Sequence, residues 1–184
     1  MKQASDPSEF FGWDDLANSI SGRRLTASAG RVDTDWDENS VIFQNAGSLS
    51  SANDRVIFNF QKPHSSPEDG QMRLHIHWEQ DRSDDIVWSC QYRVQKNGEA
   101  KTTTWSTAEN FISNATNNVF PYVSGTITQI TNLCVVELDG SGISATVQFR
   151  VARTDSLAGN VSATFIDAHV QNNQSRGSRE EFAK

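Results

Sequence analysis

The feature that most constrains the fold is an alternation of apolar and polar residues with a period of two, which runs from about residue 55 to residue 171. It is clearest in "MRLHIHWE" (72–79), and "IVWSCQYRV" (86–94) and "ISATVQFRVAR" (143–153) repeat it. A β-strand directs successive side chains to opposite faces, so each stretch predicts a strand with one apolar face. Sheets that are apolar on one face must cover each other, which predicts an antiparallel, jelly-roll-like β-sandwich.

Further strands and turns complete this prediction. Two motifs favour tight turns, namely the Asn-Gly pair in "KNGE" and the stretch "DGSG" (139–142). Additional strands are predicted at 55–60, 101–107, 126–138 and 161–171. The apolar faces predict a core that contains Met72, Leu74, Ile76, Trp78, Trp88, Cys90, Tyr92, Val147, Phe149 and Val151.

The chain divides into three regions by composition. Residues 1–54 are rich in Ser, Asp, Asn and Gly, and we interpret them as an extended N-terminal arm. Within this region, "GWDDLANSISG" favours a short helix because Leu16 and Ile20 are four residues apart, and "VIFQ" (41–44) favours a strand. Residues 55–171 form the predicted sandwich, and residues 172–184 form a polar tail.

The predicted arm carries large aromatic residues among acidic ones, and these are our candidate partner-binding residues: Phe10, Phe11, Trp13 and Trp36. Large aromatic side chains are common anchors of protein contacts. Two interpretations remain open. The rings pack on the chain's own surface, with the C-terminal tail as the docking element, or they anchor the arm on another subunit.

Charge and composition exclude several classes of function. The 184 residues are 36% hydrophobic and 21% charged, with a net charge of −7, which disfavours binding to nucleic acid or to anionic membranes. The N-terminus lacks the apolar segment of a signal peptide, and no run approaches the ~20 apolar residues of a membrane helix. We therefore expect synthesis in a cytoplasm. Cys90 and Cys134 are predicted to be buried free thiols, although a disulfide remains possible.

The stretch "LHIHWEQD" places His75, His77 and Glu79 at alternate positions, so they share one strand face. With His169 on a neighbouring strand they would make a four-ligand metal site, as in cupins. However, the cupin motif has more residues between its second His and its Glu, and it includes a Gly. The favoured interpretation is a polar sheet face, with cross-strand pairs to Asp167 and His169, that binds no metal or other cofactor.

Nothing in the sequence predicts catalysis. There is no Gly-x-Ser-x-Gly elbow to present a nucleophile, and both cysteines fall on apolar strand faces, where a thiol is unreactive. The alternation assigns Trp78 and Trp88 to the core. A sugar-binding surface needs exposed aromatic rings on loops, and only Phe120 and Tyr122 fit that position. We expect no catalytic residues and no enzymatic activity.

Several stretches resemble a group of tailed-bacteriophage virion proteins. "RLHIHWEQ" (73–80), followed by a Trp-x-x-x-Tyr-Arg strand (88–93), is similar to strands of that group. The ending "DAHVQNNQSRGSREEFAK" (167–184) resembles its Asp-x-His strand and charged terminus, and "GWDDLA" resembles its usual start.

This resemblance implies a non-enzymatic β-sandwich protein of the phage particle that forms a homotrimer. The implied roles are capsid decoration or a head fibre, with the major capsid protein or another virion protein as partner. Two alternatives remain, namely a tail-associated receptor- or sugar-binding module and a small metal-binding jelly roll. The long polar N-terminal region departs from the group's pattern, so the mode of attachment is open.

Overall fold

The computed structural model describes residues 11–19, 32–35, 40–43, 47–51, 54–67, 70–80, 84–113, 127–142, 144–159 and 161–173. In these ranges the regular elements are ten strands: β1 (Phe11–Ser19), β2 (Val32–Asp35), β3 (Ser40–Phe43), β4 (Arg55–Gln61), β5 (Gln71–Gln80), β6 (Val87–Gln95), β7 (Glu109–Ile112), β8 (Ile127–Glu137), β9 (Thr146–Arg153) and β10 (Val161–Asn173). The predicted all-β class is confirmed. No helix long and apolar enough to cross a bilayer occurs in this part of the chain.

The strands form two antiparallel sheets. The first sheet has the order β2-β3-β10-β5-β8, and β1 also pairs with β10. The second sheet has the order β4-β9-β6-β7. Their apolar faces meet in one continuous core, so the protein is the β-sandwich that the alternation predicts.

Strand β10 organises the first sheet. One of its edges pairs with β5, and its other edge pairs first with β3 and then with β1. The β1 pairing covers nine residues, from Phe11 opposite Asn173 to Ser19 opposite Phe165. The helix predicted around Leu16 is therefore wrong. A helix this short is marginal in water, whereas the strand gains a full ladder of backbone hydrogen bonds.

The strand predicted at 41–44 is confirmed as β3, which pairs with both β2 and β10. The described parts of residues 1–54 thus include three strands of the first sheet. Leu16 of β1 packs against the core, and Val41 and Phe43 of β3 are buried in it. This stretch contributes to the sandwich itself.

The predicted core is confirmed at nine of its ten positions, and Tyr92 is the exception because it is only partly buried. Trp88 lies at the centre. Its ring packs edge-to-face against Trp78 and Phe43, with centroid distances of 5.8 and 5.1 Å. Trp78 and Phe43 belong to the first sheet and Trp88 to the second, so these contacts join the two layers.

The expectation of free thiols is wrong, because Cys90 and Cys134 form a disulfide. Cys90 is in β6 of the second sheet and Cys134 is in β8 of the first, and their Cα atoms are 6.2 Å apart. Both side chains point into the core from facing sheets. Alternation places each cysteine inside, but it does not reveal which residue of the other sheet lies opposite.

The strand predicted at 101–107 is absent from the described structure, and β6 pairs instead with β7 further along the chain. Beside β6, hydrogen bonds to side chains take the place of the backbone hydrogen-bond ladder that a regular strand would form. The Tyr92 N–H donates to Ser106 Oγ at 3.0 Å, and the Thr102 N–H donates to Gln95 Oε1 at 2.6 Å. The predicted turn is confirmed at Gly98, whose φ of 79° suits glycine.

A buried cation connects the two sheets. Arg153, at the end of β9, is fully buried and forms an ion pair with Asp155. Its guanidinium also donates to the carbonyl groups of Phe43, Leu157 and Gly159. The Phe43 carbonyl belongs to β3, so this side chain connects the end of the second sheet to the first.

Candidate functional site

Strand β5 supplies one wall of the candidate site. Leu74, Ile76 and Trp78 are fully buried in the core, whereas the residues between them are only partly buried. His75 and His77 therefore lie on the outer face of the first sheet, as their alternate spacing predicts. Glu79 shares this parity, opposite Ser162 of β10.

Strand β10 supplies the other wall. Its backbone register places Asp167 directly opposite His75, and His169 opposite Arg73. The cross-strand arrangement predicted for Asp167 and His169 is therefore confirmed. Neighbouring side chains on one sheet face lie close enough to interact, so the register alone brings these groups together.

Asp167 is the centre of the cluster. Its Oδ1 lies 3.1 Å from His77 Nε2, and its Oδ2 lies 2.9 Å from His169 Nε2. His75 Nδ1 is 4.0 Å from Oδ2. The rings of His75 and His169 also pack together, with centroids 4.2 Å apart. One carboxylate thus orients two imidazole rings directly and faces a third.

The surroundings of Asp167 favour its charged form. The residue is only 6% exposed, and this burial raises its pKa. The hydrogen bond from His77 and the electrostatic effect of His75, His77 and His169 outweigh that effect, so the net pKa lies below the ordinary value. The cluster therefore keeps a carboxylate in a largely buried position.

A possible metal site differs from the one suggested by the sequence. His75, Asp167 and His169 can each direct one ligand atom to a common point, since these atoms all lie within 4.8 Å of one another. Asp167 takes the place that the sequence gave to Glu79, and His77 contacts Asp167. The donors fit a borderline cation such as Zn²⁺ in type. In the structure, however, His169 hydrogen-bonds to Asp167, and His75 Nδ1 lies 4.0 Å from the same carboxylate oxygen.

The predicted partner-binding residues fall at the edge of the described structure. Phe10 and Trp36 lie outside the described residues. Phe11 and Trp13 are in β1, where their backbones pair with Asn173 and Gln171. Of the loop aromatics considered for a sugar platform, Phe120 and Tyr122 also lie outside the described residues.

Sequence reasoning missed a second polar cluster, on the outer face of the second sheet. The guanidinium carbons of Arg93 and Arg150 lie 4.6 and 4.5 Å from the centroid of the Trp105 ring. Arg93 on β6 and Arg150 on β9 alternate with core residues, so the sequence could have predicted that both point away from the core. Trp105 lies in an irregular segment, so no periodicity could place its ring over them.

Comparisons with known proteins add little. No family model matches the chain, and no curated protein matches it. Among solved structures, the enzymatically active domain of bacteriophage CBA120 tailspike protein 4 matches 88% of this chain with 12% sequence identity and a TM-score of 0.33. The matched region is 19% of that chain. A likeness at this level carries no argument about function.

Proposed function

We propose that this chain is a non-enzymatic structural protein of a tailed-phage particle that docks on the virion surface as a capsid decoration or head-fibre protein. One observation supports this proposal above others. Four stretches resemble phage virion proteins. Three of them, at 12–17, 73–80 and the first part of 167–184, lie on β1, β5 and β10, which are neighbouring strands of the first sheet. The fourth, at 88–93, lies on β6 of the second sheet.

This adjacency strengthens the resemblance. The three stretches of the first sheet are far apart in the sequence, so chance similarity in each would have no reason to fall on paired strands. Instead, Asp167 of one stretch lies opposite His75 of another and opposite Ala17 of the third. Three of the four stretches therefore fall on one structural unit that includes the candidate site.

In the proposed role, the Asp167 cluster stabilises the sheet face. The cluster presents three partly exposed imidazole groups around a largely buried carboxylate on a single face, which is suited to polar contacts between subunits. We propose that the protein is a homotrimer whose repeated weak contacts give firm attachment to the particle. Light scattering should give a mass near three times the 20.4 kDa of one chain. A mass of one chain at micromolar concentration would refute the trimer.

Attachment is proposed to use the aromatic residues of the N-terminal region, with the major capsid protein or another virion protein as partner. Large rings flanked by acidic residues fit a contact with an apolar centre and a salt-sensitive rim. Removing residues 1–54 is not a clean test, because this deletion removes β1, β2 and β3. Point substitutions are therefore required.

The test uses particles that lack the protein and measures rebinding of the purified full chain. Phe10→Ser combined with Trp36→Ser should abolish decoration, while circular dichroism and the oligomer mass stay unchanged. Asp84→Asn, at an exposed position, is the matched control and should bind normally. Undiminished binding of the double variant would show that the aromatic residues are not the anchor. Failure of the unaltered chain to bind any such particle would refute the virion role.

A further inference from the structure

The outer face of the second sheet carries a cavity that the proposed attachment does not use. Its volume is about 390 Å³, within the range of small-molecule sites. It opens beside the turn at Gly98, between the ends of β6 and β9. Its lining residues are polar or charged but contribute aliphatic side-chain surface as well, and they include Arg93, Gln95, Glu99, Lys101, Thr146 and Gln148.

The side chains around this cavity are held in place by one another. Arg93 Nε donates to Gln148 Oε1 at 2.5 Å, and Gln148 Nε2 donates to Asn59 Oδ1 at 2.6 Å. The Trp105 ring contacts the Arg93 guanidinium through a cation–π interaction. Such bracing lowers the entropy cost of binding, because the polar groups are oriented before a ligand arrives.

Arg93 keeps part of its binding capacity. Its Nε is used by Gln148, but its two terminal nitrogens have no hydrogen-bond partner among the residues that the structure describes. Neither Arg93 nor Arg150 forms an ion pair with a carboxylate in that part of the chain. A planar guanidinium with its terminal donors available matches the two oxygens of a carboxylate.

The charge of this surface is opposite to that of the chain as a whole. The chain carries a net charge of −7, yet Arg55, Arg93 and Arg150 gather on this face. Burial, followed by the charges of Arg55 and Arg93, lowers the pKa of Arg150. Adjacent cations repel each other, so an anionic ligand would relieve this repulsion.

We propose that this cavity binds an acidic saccharide, with the sugar carboxylate on Arg93 and Lys101 and the sugar hydroxyl groups on Gln95, Glu99 and Gln148. The mixed lining favours a saccharide over a phosphate or a nucleic acid. The Glu99 carboxylate and the second lone pairs of Gln95 Oε1 and Gln148 Oε1, which already accept from Thr102 and Arg93, can accept further hydrogen bonds, and sugar hydroxyl groups supply such donors. The volume has room for one or two sugar rings.

The experiment measures binding to the full chain by calorimetry and by NMR shift changes. The probes are digalacturonate, diglucuronate and N-acetylneuraminate, each paired with its methyl ester, which removes the charge and adds one methyl group. We expect saturable binding of at least one acid and at least about tenfold weaker binding of its ester. No saturable binding of any acid, or equal binding of acid and ester, would overturn the proposal.

Variants locate the site. Arg93→Gln should weaken binding at least about tenfold, and Arg93→Lys should weaken it less, because a lysine keeps the charge but loses the planar pair of donors. Arg73→Gln, on the outer face of the first sheet, is the matched control and should bind normally. Lys101→Gln, at an exposed position, provides a second test if Arg93→Gln fails to fold. Unchanged affinity in the folded variants, or tighter binding of tetraglutamate than of any sugar, would refute the assignment.

The inference does not depend on the virion role. A chain that never binds a phage particle can still bind a saccharide in this cavity, and the two experiments fail separately. If both succeed, the decorated particle would display acidic-sugar sites on the outer face of the second sheet.

Discussion

Arg153 and Asp155 form a buried ion pair in which one guanidinium meets both oxygens of one carboxylate. Arg153 Nη2 is 2.7 Å from Asp155 Oδ1, and Arg153 Nε is 2.9 Å from Oδ2. Asp155 also accepts from the Val87 N–H at 3.1 Å. These contacts outweigh the rise that burial causes, so the pKa of Asp155 lies below its ordinary value.

Replacing Asp155 should therefore be costly. Asp155→Asn leaves the fully buried Arg153 without a counter-ion, and the loss of one partner of a buried pair costs about 3–5 kcal/mol of unfolding free energy. Urea denaturation measures this loss. Asp84→Asn, at an exposed position, should change stability by less than about 0.5 kcal/mol. A loss below about 1 kcal/mol for Asp155→Asn would mean that the carbonyl groups around Arg153 suffice to hold it.

Acid should weaken the fold through Asp155 and Asp167. Both have folded-state pKa values below the ordinary 3.8. The stability that each ionised carboxylate contributes is fully present above the pKa of the unfolded state. It is lost as the pH falls from that value to the lower pKa of the folded state. Denaturation midpoints should therefore drop steadily from about pH 5 to about pH 2. Asp167→Asn should flatten this profile, and an unchanged slope in that variant would contradict the assignment.

The disulfide should contribute strongly to stability. Cys90 and Cys134 are separated by 44 residues, and closing a loop of that length stabilises a fold by about 4 kcal/mol in the chain-entropy model. Thiol counting under denaturing conditions should find no free cysteine before reduction and two after it. Reduction should lower the denaturation midpoint, and the Cys90→Ala, Cys134→Ala double variant should be insensitive to reductant. Two free thiols in oxidised protein would contradict the pairing.

Trp88 should be the most sensitive aromatic position among those tested. Trp88→Ala removes a ring that is fully buried between Trp78 and Phe43, and a cavity of this kind costs about 3–5 kcal/mol. Trp105→Ala is the matched control, because Trp105 is only partly buried on the outer face. Chemical denaturation compares the two variants. Equal losses would show that the ring at 88 is no better packed than the ring at 105.

The Asp167 cluster is predicted to hold no metal in purified protein. Asp167 already accepts hydrogen bonds on both oxygens, from His77 and His169, so a cation would compete with these histidines for the carboxylate. Elemental analysis of protein prepared without chelators tests this prediction, with Asp167→Asn as the control for adventitious metal. Stoichiometric zinc, iron or manganese that disappears in the variant would refute it.

Period-two alternation was sufficient to predict β5, β6 and β9, because each of these strands has one face in the core. It failed for β1, where the spacing of Leu16 and Ile20 suggested a helix. The stability of β1 comes from pairing with β10, a partner more than a hundred residues away. Local sequence carries no information about such a partner.

For the same reason, the sequence predicted only part of the candidate site. A shared face for His75 and His77 follows from their spacing alone. The central position of Asp167 depends on the register between β5 and β10, which no local pattern fixes. The Cys90–Cys134 pair similarly required knowledge of how two facing sheets align. Residues within a strand were predictable, and relationships between strands were not.

The pairing of Phe11 with Asn173 has a consequence for experiments that modify the chain. Paired residues of an antiparallel ladder have Cα atoms about 5 Å apart, so the first residue of β1 and the last residue of β10 lie at adjacent points. A short peptide that bridged these points would allow a circular permutant with new ends at an exposed turn such as Gly98. A label attached next to either residue would report on the same small region of the molecule.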